Sequence, residues 1–214
     1  MIRLFCGYDD REAVGFHVFL SSVLRRASLP VFFTPIQDKS PSDGSNAFTY
    51  ARFSVAEMCG YEGWALFADS CDMLCLGDIA DLWAQRNEAY AVQVVKHAYR
   101  TRNPIKYLGT TMQCPNVDYP RKNWSSVMLI NCSAPEWQSA TREGKKAHQF
   151  DGFADGRIGD ISSEWNVLAD EGQPTANAKL LHWTAGIPGF PIYSSAESAN
   201  LWHEEHDFMR QCNV

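Results

Sequence analysis

Apolar and polar positions along the chain change period several times, and each change marks an element. "IRLFCGY", residues 2–8, is a continuous apolar run of strand length. In "REAVGFHVFLSSVLRRAS", which follows, Phe16, Phe19, Leu20, Val23 and Leu24 recur at helical spacing and predict a helix with one buried face. "LPVFFTPI" predicts the next strand, and the Ser-, Asp- and Gly-rich "QDKSPSDGSNAF" a polar loop. A second helix is predicted over "TYARFSVAEMCG", with Gly60 as its stop. "WALFA" then reads as a third strand.

This strand–helix alternation predicts an α/β protein with a mixed, mostly parallel central sheet flanked by helices. Such sheets take ligands beyond the carboxyl ends of their strands. "AYAVQVV" and "SSVMLINC" predict two more strands, separated by residues 97–122, where Pro and Gly punctuation predicts a partly ordered flap. The stretch from "APEWQ" to "SSEWNVL" reads as mixed and partly helical, and "AKLLHWTAGIPGF" as a late strand breaking into a turn. Without an internal repeat or a linker-like segment, residues 1–214 read as one domain.

The third strand ends in acids: "WALFADSCDMLCLGDI" carries Asp69, Asp72 and Asp78. Carboxylates at the end of a buried strand need a partner, and a divalent cation accounts best for two held together. Asp78 fits a helix cap instead. A net charge of -6 argues against nucleic acid or an anionic membrane as partner. Seven cysteines at irregular spacing read as reduced thiols, and no second Cys or His pair follows Cys71 and Cys75 at zinc-finger spacing. With no leader-like start and no apolar run of about 18 residues, the expectation is a soluble, cytoplasmic protein.

"FADSCDMLCLGDI" resembles the segment around the DxD motif of GT-A glycosyltransferases, in particular the retaining family that includes glycogenin and the lipopolysaccharide galactosyltransferases (family 8). "LFCGYDDREAVGFHVFLSSVLRRA", "FTYARF", "NWSSVMLINC" and "LLHWTAGIPGF" are similar, in order, to other stretches of that family. The resemblance implies a GT-A fold and a metal-dependent transfer of a sugar from a UDP-linked donor to an acceptor hydroxyl, with retention. It implies Asp72 as the main ligand of Mn²⁺ or Mg²⁺, His182 as a further ligand, and Asp69 as the remaining one if the backbone bulges, because Ser70 stands where a strict D-x-D has its first Asp. An imidazole beside carboxylates favours Mn²⁺.

The turn after the first strand, with Tyr8 and Asp9 or Asp10, is expected to receive the nucleotide base. Asn123, Ser125 and Ser126 are expected near the donor sugar, and Asp155 where the family has an Asp-Gln pair. Ile187 stands where the family carries a phosphate-binding lysine. Phosphate contact is then expected from the backbone of Gly186 and Gly189, or from Arg52, Lys96, Arg121 or Lys122, and Ser70 is expected among the residues that bind the donor. Arg100, Arg102, Lys106, Arg121 and Lys122 make the flap basic, so part of it is expected to close over the donor. Two other readings stay open at this level, a sugar-phosphate nucleotidyltransferase and a noncatalytic nucleotide-sugar binder.

Overall fold

The structure, a computed structural model, describes residues 1–38, 46–142 and 144–211. Most of the predicted polar loop after the second strand, and Cys212, lie outside the described residues.

Strands β1 (Ile2–Gly7), β2 (Val31–Ile36) and β3 (Trp64–Ala68) form where the apolar runs predict them. Next come β4 (Met73–Cys75), β5 (Val92–Val94), β6 (Ile105–Lys106), β7 (Cys114–Pro115), β8 (Val127–Asn131), β9 (Ile158–Asp160), β10 (Val167–Leu168) and β11 (Leu180–His182). A six-stranded sheet has the order β2-β1-β3-β8-β5-β9, in which β8 alone runs against its neighbours. β1, β3, β5 and β8 are apolar almost throughout because helices or loops cover both faces. β2 lies at the edge, where Phe32 is exposed and Pro35 withholds no ladder donor from the interior.

Helix α1 (Ala13–Leu24) starts after a 3-10 turn, Asp10–Glu12, that Asp9 caps through the Arg11 N–H. Its buried positions differ from a single stripe. Phe16, Phe19 and Val23 join the main core, Val18 joins a second apolar cluster with Leu74, Leu181, Trp183 and Trp202, and Leu24 is exposed. α1 is therefore covered on two sides. The predicted second helix divides into a 3-10 stretch, Ala51–Ser54, and a single turn α2 (Val55–Met58), after which Gly60 takes the left-handed conformation.

α3 (Ile79–Trp83) is capped by Asp78, whose carboxylate accepts from the Ala80 and Ser28 N–H groups, the role expected of it. α4 (Glu136–Ser139) and α5 (Gly144–His148) supply the helical part of the last third, and α6 (Ala199–Gln211) lies beyond any element read from the pattern. α6 docks on α1 through buried Glu205, which accepts from Ser21, Arg25 and Arg26.

After β3 the chain turns and β4 leaves the central sheet for a smaller one, ordered β10-β11-β4. Its register sets His182 opposite Met73 and beside Leu168. α1 packs against this turn so closely that a Cβ on Gly15 would lie 1.9 Å from the Cys71 carbonyl oxygen. Among the described residues no helix is long and apolar enough to cross a membrane. The described cysteines are free thiols.

Candidate functional site

The turn between β3 and β4 brings the acids together. Ser70 adopts a left-handed backbone (φ 65) and buries its hydroxyl, which donates to the Gly7 carbonyl. The Cys71 N–H returns to the Asp69 carbonyl and the Met73 N–H to that of Ser70. Asp69 and Asp72 thus face one side of a tight turn, and no strand bulge is involved. With His182 from β11 they offer three ligand atoms within 4.8 Å of one another.

His182 is oriented from behind. Ser126 Oγ donates to the Asn123 carbonyl (2.7 Å), so it accepts from Asn166 Nδ2 (2.8 Å). That leaves Asn166 Oδ1 to accept from His182 Nδ1 at 3.0 Å, and turns Nε2 toward Asp72 Oδ2, 3.3 Å away. Asp69 Oδ1 lies 2.5 Å from Arg52 Nη1, an ion pair without hydrogen-bond alignment, and the same nitrogen donates to the Ser125 carbonyl. Asp69 Oδ1 and Asp72 Oδ1 are consequently buried without an aligned donor. Oxygens left in this state, next to an imidazole nitrogen, suit a borderline divalent cation.

Burial opposes charge throughout the cluster. At Asp69 it prevails over Arg52 and pushes the carboxyl up to about 6. At Asp72 burial is outweighed by the charge and hydrogen bond of His182, which hold the carboxyl below its usual range, and Asp72 in turn raises His182 against burial. Nearby Glu12 is fully buried with Oε1 unpartnered, and burial, then the charge of Asp72, raise it well above the carboxylate range.

The cluster forms part of the wall of a cavity of about 500 Å³ near the carboxyl ends of β1 and β3. Asn46, Phe48, Arg52, Tyr119, Asn123, Ser125 and Ser126 line it, and residues 106–107 and 114–117 of the predicted flap close one side. That segment carries the β6–β7 hairpin and is already packed down. Lys122 is 7% exposed and donates to Thr101, Asn116 and the Val117 carbonyl, while Arg121 points to the Gln149 carbonyl and Asp155. Of the five flap cations, Lys106 and Lys122 line the cavity; Arg100, Arg102 and Arg121 do not.

Several expected site residues stand elsewhere. Lys96 pairs with Asp160 (3.3 Å), Asp155 presents an exposed carboxylate to Arg121, and Ser70 and Gly186 are absent from the lining, a Cβ on Gly186 falling 2.4 Å from the Tyr193 ring. Asp9 acts from behind the wall, accepting from the Ala47 N–H between lining residues Asn46 and Phe48. Tyr8 sets its ring edge-on to Phe16, 4.9 Å between centroids. Arg52, Asn123 and Ser126 do line the cavity, with Arg52 bound to Asp69 and with Asn123 and Ser126 supporting Asn166. Asn166 and Glu12 were not among the expected residues. An Asn inside "EWNVL" and an acid in a first helical turn are both commonplace, so neither gave a signal.

Burial, then the neighbouring charge of Lys106, lower the Lys122 ammonium from 10.5 to about 8. The folded chain therefore holds fewer protons than the unfolded one between those values. The stability contributed by Lys122 rises by up to about 3 kcal/mol as pH climbs through that window, and the cost of burying the charge is fully present below pH 8. Urea unfolding from pH 7.5 to 10.5 should show wild type gaining on Lys122→Met. Parallel pH profiles would refute the assignment.

No family model matches the chain. It is 35% identical over 225 residues to Protein CDI of Arabidopsis thaliana, a match covering 95% of this chain and 85% of that protein. Among solved structures it resembles an active-site mutant of LgtC (TM-score 0.67, 14% identity, 95% of each chain). It also resembles the bifunctional glycosyltransferase WbbM (TM-score 0.68, 13% identity), covering 96% of this chain and 49% of that one, so it spans about half of WbbM. The glycosyltransferase GlyE of Streptococcus pneumoniae gives a TM-score of 0.63 at 13% identity, over 96% of this chain and 60% of that one. The chain belongs to the family of Protein CDI, and its fold is that of the family 8-like GT-A glycosyltransferases.

Proposed function

We propose that the protein is a glycosyltransferase that moves a sugar from a UDP-linked donor to an acceptor hydroxyl with retention, using Mn²⁺ or Mg²⁺ held by Asp69, Asp72 and His182. The observation that carries this reading is the convergence of those three side chains, two with donor-less buried oxygens, in the wall of a cavity large enough for a nucleotide sugar. When bound, the cation supplies positive charge to the diphosphate as it departs. Arg52 holds Asp69 in place, and Asn166, braced by Asn123 and Ser126, keeps the His182 Nε2 lone pair turned inward.

Among the described lining residues the acids are Asp69 and Asp72, both in the cluster. Retention then follows a path on one face of the sugar. The bond from the anomeric carbon to the phosphate oxygen breaks with its electron pair going to that oxygen, the acceptor oxygen bonds to the same carbon, and the acceptor proton passes to the departing phosphate. The packed loop 97–122 keeps bulk water from one side of the cavity.

Incubation with UDP-glucose or UDP-galactose and Mn²⁺ tests the reading. Slow release of UDP, abolished by EDTA, with the sugar first released as the α anomer by NMR, is the expected result. Binding without any UDP release would favour a noncatalytic nucleotide-sugar binder.

A further inference from the structure

The cavity is charged unevenly. Asp69 and Asp72 share its lining with cations from several segments, Arg52, Lys106, Lys122 and Lys145. Most of these cations are already committed: Arg52 to Asp69 and two carbonyls, Lys122 to three oxygen acceptors, while Lys145 stands exposed on α5. Lys106 differs. It is half-buried and lines the cavity, yet among the described residues its ammonium makes no hydrogen bond and no ion pair.

Its place is nonetheless fixed by the backbone. Lys106 pairs in register with Cys114 across the β6–β7 hairpin. The next residue, Tyr107, is left-handed (φ 53) and buried; its N–H donates to the Ala185 carbonyl at 2.6 Å, and its hydroxyl accepts from Asn46 Nδ2 at 2.9 Å. Ala185 lies in the turn three residues beyond His182, just past the strand that carries the histidine, so the hairpin is docked next to the cluster. The charge of Lys106 reaches Glu12, Asp69, Asp72 and Lys122. An ammonium that lines the same cavity as a carboxylate cluster and a second lysine, with no acceptor of its own among the described residues, is complementary to an anion that bridges metal and cation.

We propose that Lys106 binds the diphosphate of the donor opposite the metal and stays with it as the nucleoside diphosphate leaves. The inference rests on the proposed function and assigns to the hairpin the phosphate contact for which the turn after His182 offers Ile187 and no base.

Isothermal titration of UDP and GDP in the presence of Mn²⁺, on wild type, Lys106→Met and Lys106→Arg, tests it, with the Mn²⁺-induced thermal shift measured without nucleotide as a control. Lys106→Met should weaken diphosphate affinity about 10- to 100-fold, the range of a charge-assisted hydrogen bond, with the Mn²⁺ shift unchanged. Lys106→Arg should recover most of that affinity and so answers any folding defect in the Met variant. Equal affinity in Lys106→Met and wild type overturns the assignment of Lys106 alone. A wild type that binds neither diphosphate in Mn²⁺ overturns the proposed function, and the inference with it.

Discussion

Asp72→Asn should remove the Mn²⁺ response of this protein while leaving it folded. Asp72 contributes a buried carboxylate whose Oδ1 has no donor and whose Oδ2 faces the His182 Nε2 at 3.3 Å, so both oxygens and the imidazole are directed at one small volume. Converting the carboxylate to an amide removes a ligand charge and sets an NH₂ group toward the remaining ligands. A loss of more than about 100-fold in metal affinity is expected, since even an outer-sphere partner of a metal ligand typically costs 10- to 100-fold. The readout is thermal. At a Mn²⁺ concentration about 100 times the wild-type Kd, binding stabilises the native state by about 2.7 kcal/mol, and the variant should show almost none of this. The metal-free variant should melt within a few degrees of wild type, because the substitution removes both the attraction to His182 and the repulsion toward Glu12 and Asp69. An undiminished Mn²⁺ shift would sink the metal-site assignment.

β1, β3, β5 and β8 were legible because they are buried on both faces and therefore stand out as nearly uninterrupted apolar runs. β4, β9 and β10 have two or three residues each and give no periodicity to read. That shortfall carried over to the site. Lys96 follows β5 and looked free for phosphate; its partner Asp160 ends β9, whose pairing of Asp160 with Val94 is invisible until β9 is known to be a strand. Asp72 and His182 could be read as a pair only through resemblance, since the register joining β4 to β11 spans more than a hundred residues. The position of Asp69 depended on one backbone dihedral at Ser70, which composition cannot supply. Likewise the basic loop was evident, yet which of its cations face inward was decided by the left-handed turn at Tyr107 and the burial of Lys122.

Arg52→Met should be among the most destabilising substitutions in the site, at about 3 to 5 kcal/mol, because it strands a buried carboxylate. The side chains of Arg52 and Asp69 are only 6% and 12% exposed, and the guanidinium also donates to the Thr49 and Ser125 carbonyls while lying 5.0 Å from the centre of the Phe67 ring. Methionine approximates the length of the apolar stem and so tests the charge more than the volume. If the cost arises from the stranded Asp69, then Asp69→Asn should be destabilising or neutral in the wild-type background and stabilising in the Arg52→Met background. Urea unfolding of the two single variants and the double variant, all in EDTA, gives the coupling directly. A double variant no more stable than Arg52→Met would mean that the lost carbonyl contacts and the packing on Phe67 carry the penalty. The recovery of stability should not bring back metal binding, because Asp69→Asn removes one of the three proposed ligands. Arg52 would then hold in place a carboxylate that the fold alone tolerates poorly and that the proposed metal site needs.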